Sequence, residues 1–455
     1  MNSRAKDLPA SPKLGDVIRT VWSNPVVTSQ CPDLVIRLTT LRGSVSQHVW
    51  QGLGHDPHEI QLLAVGSTDH PLHLPNYVGF LRNFYARTAR LTEAYPQRPE
   101  FDTGYDLLAT GSALVRKAML ELFNEHYGAP KNVLEALCES SSVTCGGMRG
   151  LKDLADAQML AAGKDNTFVR FIQPDNSFGT WWNIVESPAT RGLDRRQIVT
   201  IGTRPENRLH LSVADVEHFY RDNKPHSHEC WYVTPVGNPS GTKMGDYVGE
   251  LVAKIVSFNP AAVIILDVVY VRTLRRSAAA ALLKGLWDVP EALNRVVFLE
   301  SLSKSHGLCR ERLGMYFSTN AKLFTSLHTA NMGFSAGPGQ MKDLQFAAVA
   351  GSTVADKQGV DDLHVFWRDE RKALVRFLMQ PQFGDLFEAQ QPHIQAEDLD
   401  NPCTLYVLLR VRDGVKSNAI FERTGALGVD TPLKSGHYVR FALGMMKQPF
   451  FSAKK

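Results

Sequence analysis

Apolar and polar positions follow two periods along this chain, and the switching between them outlines its architecture. Short continuous apolar runs recur at Ile60–Gly66, Thr167–Ile172, Gln197–Ile201, Trp231–Thr234, Val263–Asp267 and Val296–Leu299. Runs of this length, rich in Val, Ile and aromatic residues, predict strands buried on both faces. Between them, apolar positions spaced at three and four residues predict helices from about Tyr77 to Thr92, Ser112 to Tyr127, Gly150 to Ala162, Phe178 to Glu186, Ser212 to Arg221 and Asp246 to Val256. Ser112 and Ser212 read as N-caps. Strand–helix alternation to about residue 320 predicts a mostly parallel sheet covered by helices.

Beyond that point the character changes. A long amphipathic helix from Asp361 to about Met379 precedes strands at Thr404–Arg410 and Tyr438–Ala442, which predicts a second, α+β lobe. The first 57 residues, punctuated by Pro9, Pro12 and Pro25, offer one candidate helix at Leu14–Trp22 and no assignable role.

Composition narrows the classes. With 455 residues, 44% hydrophobic and 21% charged, the chain can bury two cores, and two lobes are expected. The net charge is +4 with no long Lys/Arg run, so nucleic acid is not an expected partner. The six cysteines are scattered, without CxxC pairs or metal-ligand spacing, which reads as reduced thiols and no metal. The start is polar, and the most apolar stretch, Ala261–Val269, is interrupted by Asp267 and too short to span a bilayer. A soluble, cytoplasmic protein without membrane attachment is the expectation.

Ligands of such sheets gather at the carboxyl ends of the strands. Five ends carry polar or Gly-rich groups, in chain order. Cys145-Gly146-Gly147-Met148-Arg149-Gly150 opens a helix, where backbone N–H groups can approach an anion, although Gly pairs also simply make turns. Pro174-Asp175-Asn176-Ser177-Phe178 offers an aromatic face or a core Phe. Pro235-Val-Gly-Asn238-Pro239-Ser240-Gly241 offers a side-chain amide or a plain turn. Asp267, with Tyr270 three residues on, ends a buried strand and needs a partner, either a protonated pyridine nitrogen or a structural cation.

The fifth end is Ser301-Leu-Ser-Lys304-Ser-His306-Gly-Leu-Cys-Arg-Glu-Arg312-Leu-Gly314. One lysine among small residues, with Ser301, Ser303 and Arg312, suits pyridoxal phosphate: an amine for the aldimine, and hydroxyl and guanidinium donors for the phosphate. A solvated lysine in a Ser/Gly loop would show the same residues.

With these residues in place, the chain resembles the class I/II aminotransferases, fold type I pyridoxal phosphate enzymes similar to aspartate aminotransferase. The resemblance spans roughly residues 58 to 445. It rests most on Asn238-Pro-Ser-Gly241, the Asp267/Tyr270 pair, and Ser301-x-Ser-Lys304 followed by Arg312-Leu-Gly314. It implies an α/β fold with a large domain over 91–357, built on a mostly parallel seven-stranded sheet flanked by helices. A smaller α+β domain would come from 58–90 and 358–455, with 1–57 as an N-terminal extension.

Roles follow from the resemblance residue by residue. Lys304 would form the internal aldimine and shuttle the proton between substrate α-carbon and cofactor. Asp267 would pair with the pyridinium nitrogen, Asn238 and Tyr270 would hold the phenolic oxygen, and Phe178 would stack on the ring. N–H groups near Gly147 and Met148, with Ser301 and Arg312, would bind the phosphate. Tyr105 matches a tyrosine that reaches the neighbouring subunit's phosphate, which implies a homodimer with shared active sites. Arg440 would clamp the substrate carboxylate bidentately, and Gly66 would border the substrate pocket.

Departures are also visible. Ser240 stands where the family has threonine, Met148 and Arg149 stand where small or hydroxyl residues are common, and Arg149 could instead face the substrate. Thr431-Pro-Leu-Lys-Ser-Gly436 reads as a shortened loop before the carboxylate-binding strand, and the N-terminal extension is long. His306 could be a second proton-transfer group, or a loop His packed locally. The implied activity is transamination between an α-amino acid and a 2-oxo acid. The alternatives are a lyase, a γ-replacement or cyclising enzyme, an amino-acid oxidase, or, from another class, a non-catalytic cofactor-binding regulator.

Overall fold

The computed structural model describes residues 61–63, 68, 70–94, 110–186, 196–332, 340–400, 405–446 and 449–453. The candidate helix at Leu14–Trp22, Gly66 and Tyr105 lie outside these residues. Strands form three sheets. β1 (Gln61–Leu62) pairs in parallel with β10 (Ala426–Leu427). The largest sheet holds β2 (Ser141–Thr144), β3 (Val169–Pro174), β4 (Arg196–Ile201), β5 (Glu229–Val233), β6 (Val263–Asp267), β7 (Val296–Ser301) and β8 (Gly314–Phe317), in the order β2-β8-β7-β6-β5-β3-β4. Its neighbours run parallel except that β8 is antiparallel to β2 and β7. A third sheet orders β11 (Val429–Leu433), β12 (Gly436–Ala442) and β9 (Tyr406–Arg410), all antiparallel.

The helices that shape the site are α1 (Pro75–Ala94), α2 (Ala113–Tyr127), α3 (Gly147–Lys164), α4 (Gly179–Glu186), α5 (Val213–Asp222), α6 (Val248–Phe258), α7 (Arg276–Trp287), α8 (Gln340–Ala355) and α9 (Lys357–Leu378). Successive strand residues face opposite ways, so the seven-stranded sheet feeds two cores. Phe171, Tyr232, Ile265 and Leu299 pack with Leu151, Leu154 and Trp181 of α3 and α4. Ile172, Trp231, Ile264 and Phe298 pack with Leu120, Phe123, Leu251 and Leu283 of α2, α6 and α7. This double covering is why β5, β6 and β7 are buried at every position, and why they read as continuous apolar runs.

Several sequence expectations shift. The helix expected from Gly150 starts at Gly147, with Gly146 just before it as the N-cap. Ser212 caps α5 in a capping box with Asp215. Ser112 precedes α2 without a side-chain cap; its N–H donates instead to Asp343 Oδ2 at 3.0 Å. Thr431-Pro-Leu-Lys-Ser-Gly436 forms a tight hairpin: its first three residues extend β11, which turns through Lys434 and Ser435 directly into β12. Among the described residues, no helix is long and apolar enough to cross a membrane.

Candidate active site

The parallel strands end along one edge, at Pro174, Ile201, Val233, Asp267 and Ser301. Thr144 and Gly314 pair at the same edge, and Gly314 pairs with Ser301. Three backbone segments therefore converge where α3 begins. Gly314 is the hinge of this packing: a Cβ there would lie 2.6 Å from the carbonyl carbon of Gly146 and 2.8 Å from the nitrogen of Gly147. A Cβ at Gly147 would lie 3.3 Å from Ser301 Cβ, and one at Gly146 would lie 2.7 Å from Arg312 Nη2. Gly147, Ser301 and Arg312 thus share one corner with the amino end of an 18-residue helix, whose dipole favours an anion. Arg312 adopts φ 54°, a left-handed conformation that costs about 1 kcal/mol or more at a non-glycine residue. Met148 is exposed, while Arg149 pairs with Asp153 one helical turn on at 2.7 Å and is engaged on its own helix.

Lys304 sits in the short helix Leu302–Ser305 that leaves β7. Ser301 caps it, accepting from Ser303 N–H at 3.3 Å, and its Oγ also reaches Leu313 O at 2.9 Å. Side chains distant in sequence hold this segment by its carbonyls. Thr68 Oγ1 donates to Ser303 O and Gly307 O, both at 3.1 Å; Tyr77 OH donates to His306 O at 3.0 Å; His364 Nε2 donates to Ser305 O at 2.6 Å. His306 turns inward, fully buried between Ser305 Oγ and Thr353 Oγ1, and burial holds its pKa well below the ordinary range. It is a locally packed neutral imidazole rather than a group facing the site.

Asp267 is buried, with Tyr232 OH donating to Oδ2 at 2.6 Å and Val269 N–H to Oδ1 at 3.2 Å. Burial raises its pKa to about 6, against the two hydrogen bonds that lower it. Among the described residues, no lysine or arginine pairs with it. Asn238 Nδ2 donates to Tyr270 OH at 3.2 Å, and Tyr270 OH donates to Tyr406 OH at 3.0 Å. Burial pushes the Tyr270 hydroxyl well above its ordinary pKa, so it stays a neutral donor. The Arg440 guanidinium lies 5.2 Å from the Tyr406 ring centroid. Asn238, Tyr270, Tyr406 and Arg440 therefore form one continuous line from the seven-stranded sheet to the three-stranded one.

Phe178, just before α4, is partly buried against the core that holds Phe171 and Tyr232, and Trp181 one turn later is fully buried. Ser240 is buried beside Thr242, whose hydroxyl donates to it at 2.9 Å. Tyr232, Tyr406, Thr68 and Tyr77 carried no local sequence signal. Each acts through a contact with a residue far along the chain, and only the position of Tyr232 on a strand beside Asp267 hinted at its contact.

The comparisons with known proteins agree with this fold. The family model "Aminotransferase class I and II" matches residues 107–376. No curated protein matches the sequence. Among solved structures, a double mutant of Thermus thermophilus aspartate aminotransferase is 15% identical over 88% of this chain and 90% of that one, with a TM-score of 0.61. An aromatic aminotransferase from Pyrococcus horikoshii is 16% identical over 85% and 92%, with a TM-score of 0.60. Substrate-bound BacF from Bacillus subtilis is 16% identical over 98% and 96%, with a TM-score of 0.63.

Proposed function

The chain belongs to the class I and II aminotransferases, enzymes that use pyridoxal 5′-phosphate, and from that membership we propose that it transfers an amino group between an α-amino acid and a 2-oxo acid, with Lys304 as the attachment point. The residues present fit the cofactor. Asp267 is a buried carboxylate with no cation of its own among the described residues, which suits a protonated ring nitrogen. The corner of Gly147, Ser301 and Arg312 at the head of α3 offers N–H, hydroxyl and guanidinium donors, the set a phosphate dianion takes. Bound there, pyridoxal phosphate supplies an aldehyde carbon for amines and a ring that withdraws electrons from the substrate's α-carbon.

The protein's own residues do the rest. Asp267 would hold the ring nitrogen's proton in place. Asn238 Nδ2 would donate to the ring oxygen, and Tyr270 OH, which here gives its one proton to Tyr406, would turn that proton to the ring oxygen and accept from Tyr406 OH in exchange. Phe178 would cover one ring face. Lys304 Nζ would take and return the α-proton, and the guanidinium of Arg440 would grip the substrate carboxylate through a bidentate pair. Gly66 would border the substrate, and Tyr105 would reach across a homodimer in which each protomer completes its partner's site. A cytoplasmic location belongs to the same reading.

One observation carries the proposal: hydrogen bonds run from Asn238 through Tyr270 to Tyr406, and the Arg440 guanidinium lies 5.2 Å from the Tyr406 ring centroid, so the residues proposed for the ring oxygen and for the substrate carboxylate lie side by side. Arg149 pairs with Asp153 on its own helix and Thr431–Leu433 continues β11; a lyase, replacement or oxidase chemistry would use the same cofactor-binding residues, so the reaction type is what the test decides. The test is a screen of purified, cofactor-loaded protein with single amino acids and no oxo acid. A 2-oxo acid formed in proportion to cofactor, with loss of the yellow absorption, supports transamination. Side-chain loss or oxygen uptake would replace it with the alternative chemistry.

A further inference from the structure

Tyr232 lies on β5, beside β6, and is fully buried. Its hydroxyl donates to Asp267 Oδ2 at 2.6 Å, its one bond among the described residues. Trp181 stacks on its ring with centroids 4.8 Å apart and planes 14° apart, and Phe171 meets Trp181 edge-on at 5.6 Å. A phenol clamped in a close-packed aromatic stack cannot swing its oxygen elsewhere without opening a void. The hydroxyl is also a donor at every working pH, because burial and the neighbouring carboxylate push its own pKa far up. A short O–H bond to a carboxylate favours the charged form.

From this geometry we propose that Tyr232 is a positioning residue that keeps Asp267 ionised and aimed at the cofactor's ring nitrogen, and so sets the acid limit of cofactor binding. The inference rests on the role given to Asp267 above. Burial alone favours the protonated, uncharged carboxyl, which would lose its attraction for a pyridinium. The Tyr232 hydroxyl and the Val269 N–H oppose that tendency, and only the hydroxyl can be removed by changing a side chain. Other titratable groups within electrostatic reach are Tyr270, Tyr127 and Glu300. The two tyrosines remain neutral. Glu300 points to the opposite sheet face, where Tyr127 OH donates to it, and any negative charge it carries favours protonation of Asp267 rather than opposing it, so it does not replace Tyr232.

The experiment compares wild type, Tyr232→Phe and Asp267→Asn, each stripped of cofactor and titrated with pyridoxal 5′-phosphate across a pH series. Binding is read from the absorption of the lysine-bound cofactor, and folding from far-ultraviolet circular dichroism. Tyr232→Phe keeps the ring stack and loses only the oxygen. Its affinity is expected to match wild type in alkali, to fall about tenfold below it near neutrality, and to show a midpoint about one pH unit higher. Asp267→Asn is expected to bind weakly at every pH. An unmoved midpoint in Tyr232→Phe, with affinity unchanged or lowered equally at all pH values, overturns the proposal while leaving the role of Asp267 intact. Wild-type affinity in Asp267→Asn would overturn that role itself, and the proposal with it.

Discussion

The carbonyls of Ser303, Ser305, His306 and Gly307 each accept from a side chain far away in sequence, so Lys304 rides on a segment fixed from several directions. Its replacement should therefore remove an amine without loosening the fold. Lys304→Ala is expected to abolish turnover in a product assay while its circular dichroism stays that of wild type; a normal rate would move the site elsewhere. Arg440→Ala should raise KM by about 10²-fold or more with a smaller effect on kcat, as expected from loss of a buried charge pair of a few kcal/mol. Steady-state kinetics with a ladder of substrate concentrations checks it. Glu300 gives a pH prediction for the cofactor-free protein. Its folded pKa is raised from 4.5 to about 7, chiefly by burial, so the folded state binds this proton more tightly than the unfolded one. Stability from this group is complete below about pH 4.5 and is lost as pH rises through about 7. The loss is on the order of 3 kcal/mol. Urea melts of wild type against Glu300→Gln across that window should converge in acid and separate toward neutrality.

At the level of elements, the proposed phosphate corner depends on strands meeting backbone to backbone. The short antiparallel β8 enters at Gly314, between the end of β2 and the end of β7, and leaves no room for a side chain at that residue. Gly314→Ala should push the head of α3 away from Ser301, and cofactor affinity is expected to drop at least tenfold while the thermal midpoint also falls. Equal affinity measured by the same cofactor titration would show that the corner is plastic. The motif Arg312-Leu-Gly314 was readable in the sequence, but β8 itself was not, because Gly314–Phe317 is a four-residue run that gains its strand character only from its neighbours. By contrast β6, bounded by a polar residue and apolar throughout, was legible to the residue. Helix starts were less so: the glycines at 146 and 147 read as a loop, since helix propensity counts against them, yet close approach of Ser301 and Gly314 fills the space that side chains would need.

Across the whole molecule, the proposed site draws on Thr68 and Tyr77 near one end of the described chain, on strand ends between Thr144 and Gly314, and on His364, Tyr406 and Arg440 near the other. Residues that belong to a local motif (Asn238, Asp267, Tyr270, Lys304, Arg312) could be picked out from sequence. Those that act across the fold could not, because nothing local distinguishes Tyr406 or Tyr232 from any aromatic residue in a strand. The proposed shared site makes a further expectation: sedimentation at micromolar concentration should give a mass of two chains, and a monomer with full activity would rule out a contribution from a partner's Tyr105.

The tethering of the lysine segment also has a consequence for biosynthesis. Lys304 leaves the ribosome well before His364, whose imidazole holds the carbonyl of Ser305, and before Tyr406, which orients Tyr270. A nascent chain that already contains the whole seven-stranded sheet still lacks two of the contacts that fix the site. On the proposed site, a chain ending before His364 is therefore expected to hold the Lys304 segment without two of these contacts, and pyridoxal phosphate binding by such a truncated chain is the measurement that checks it.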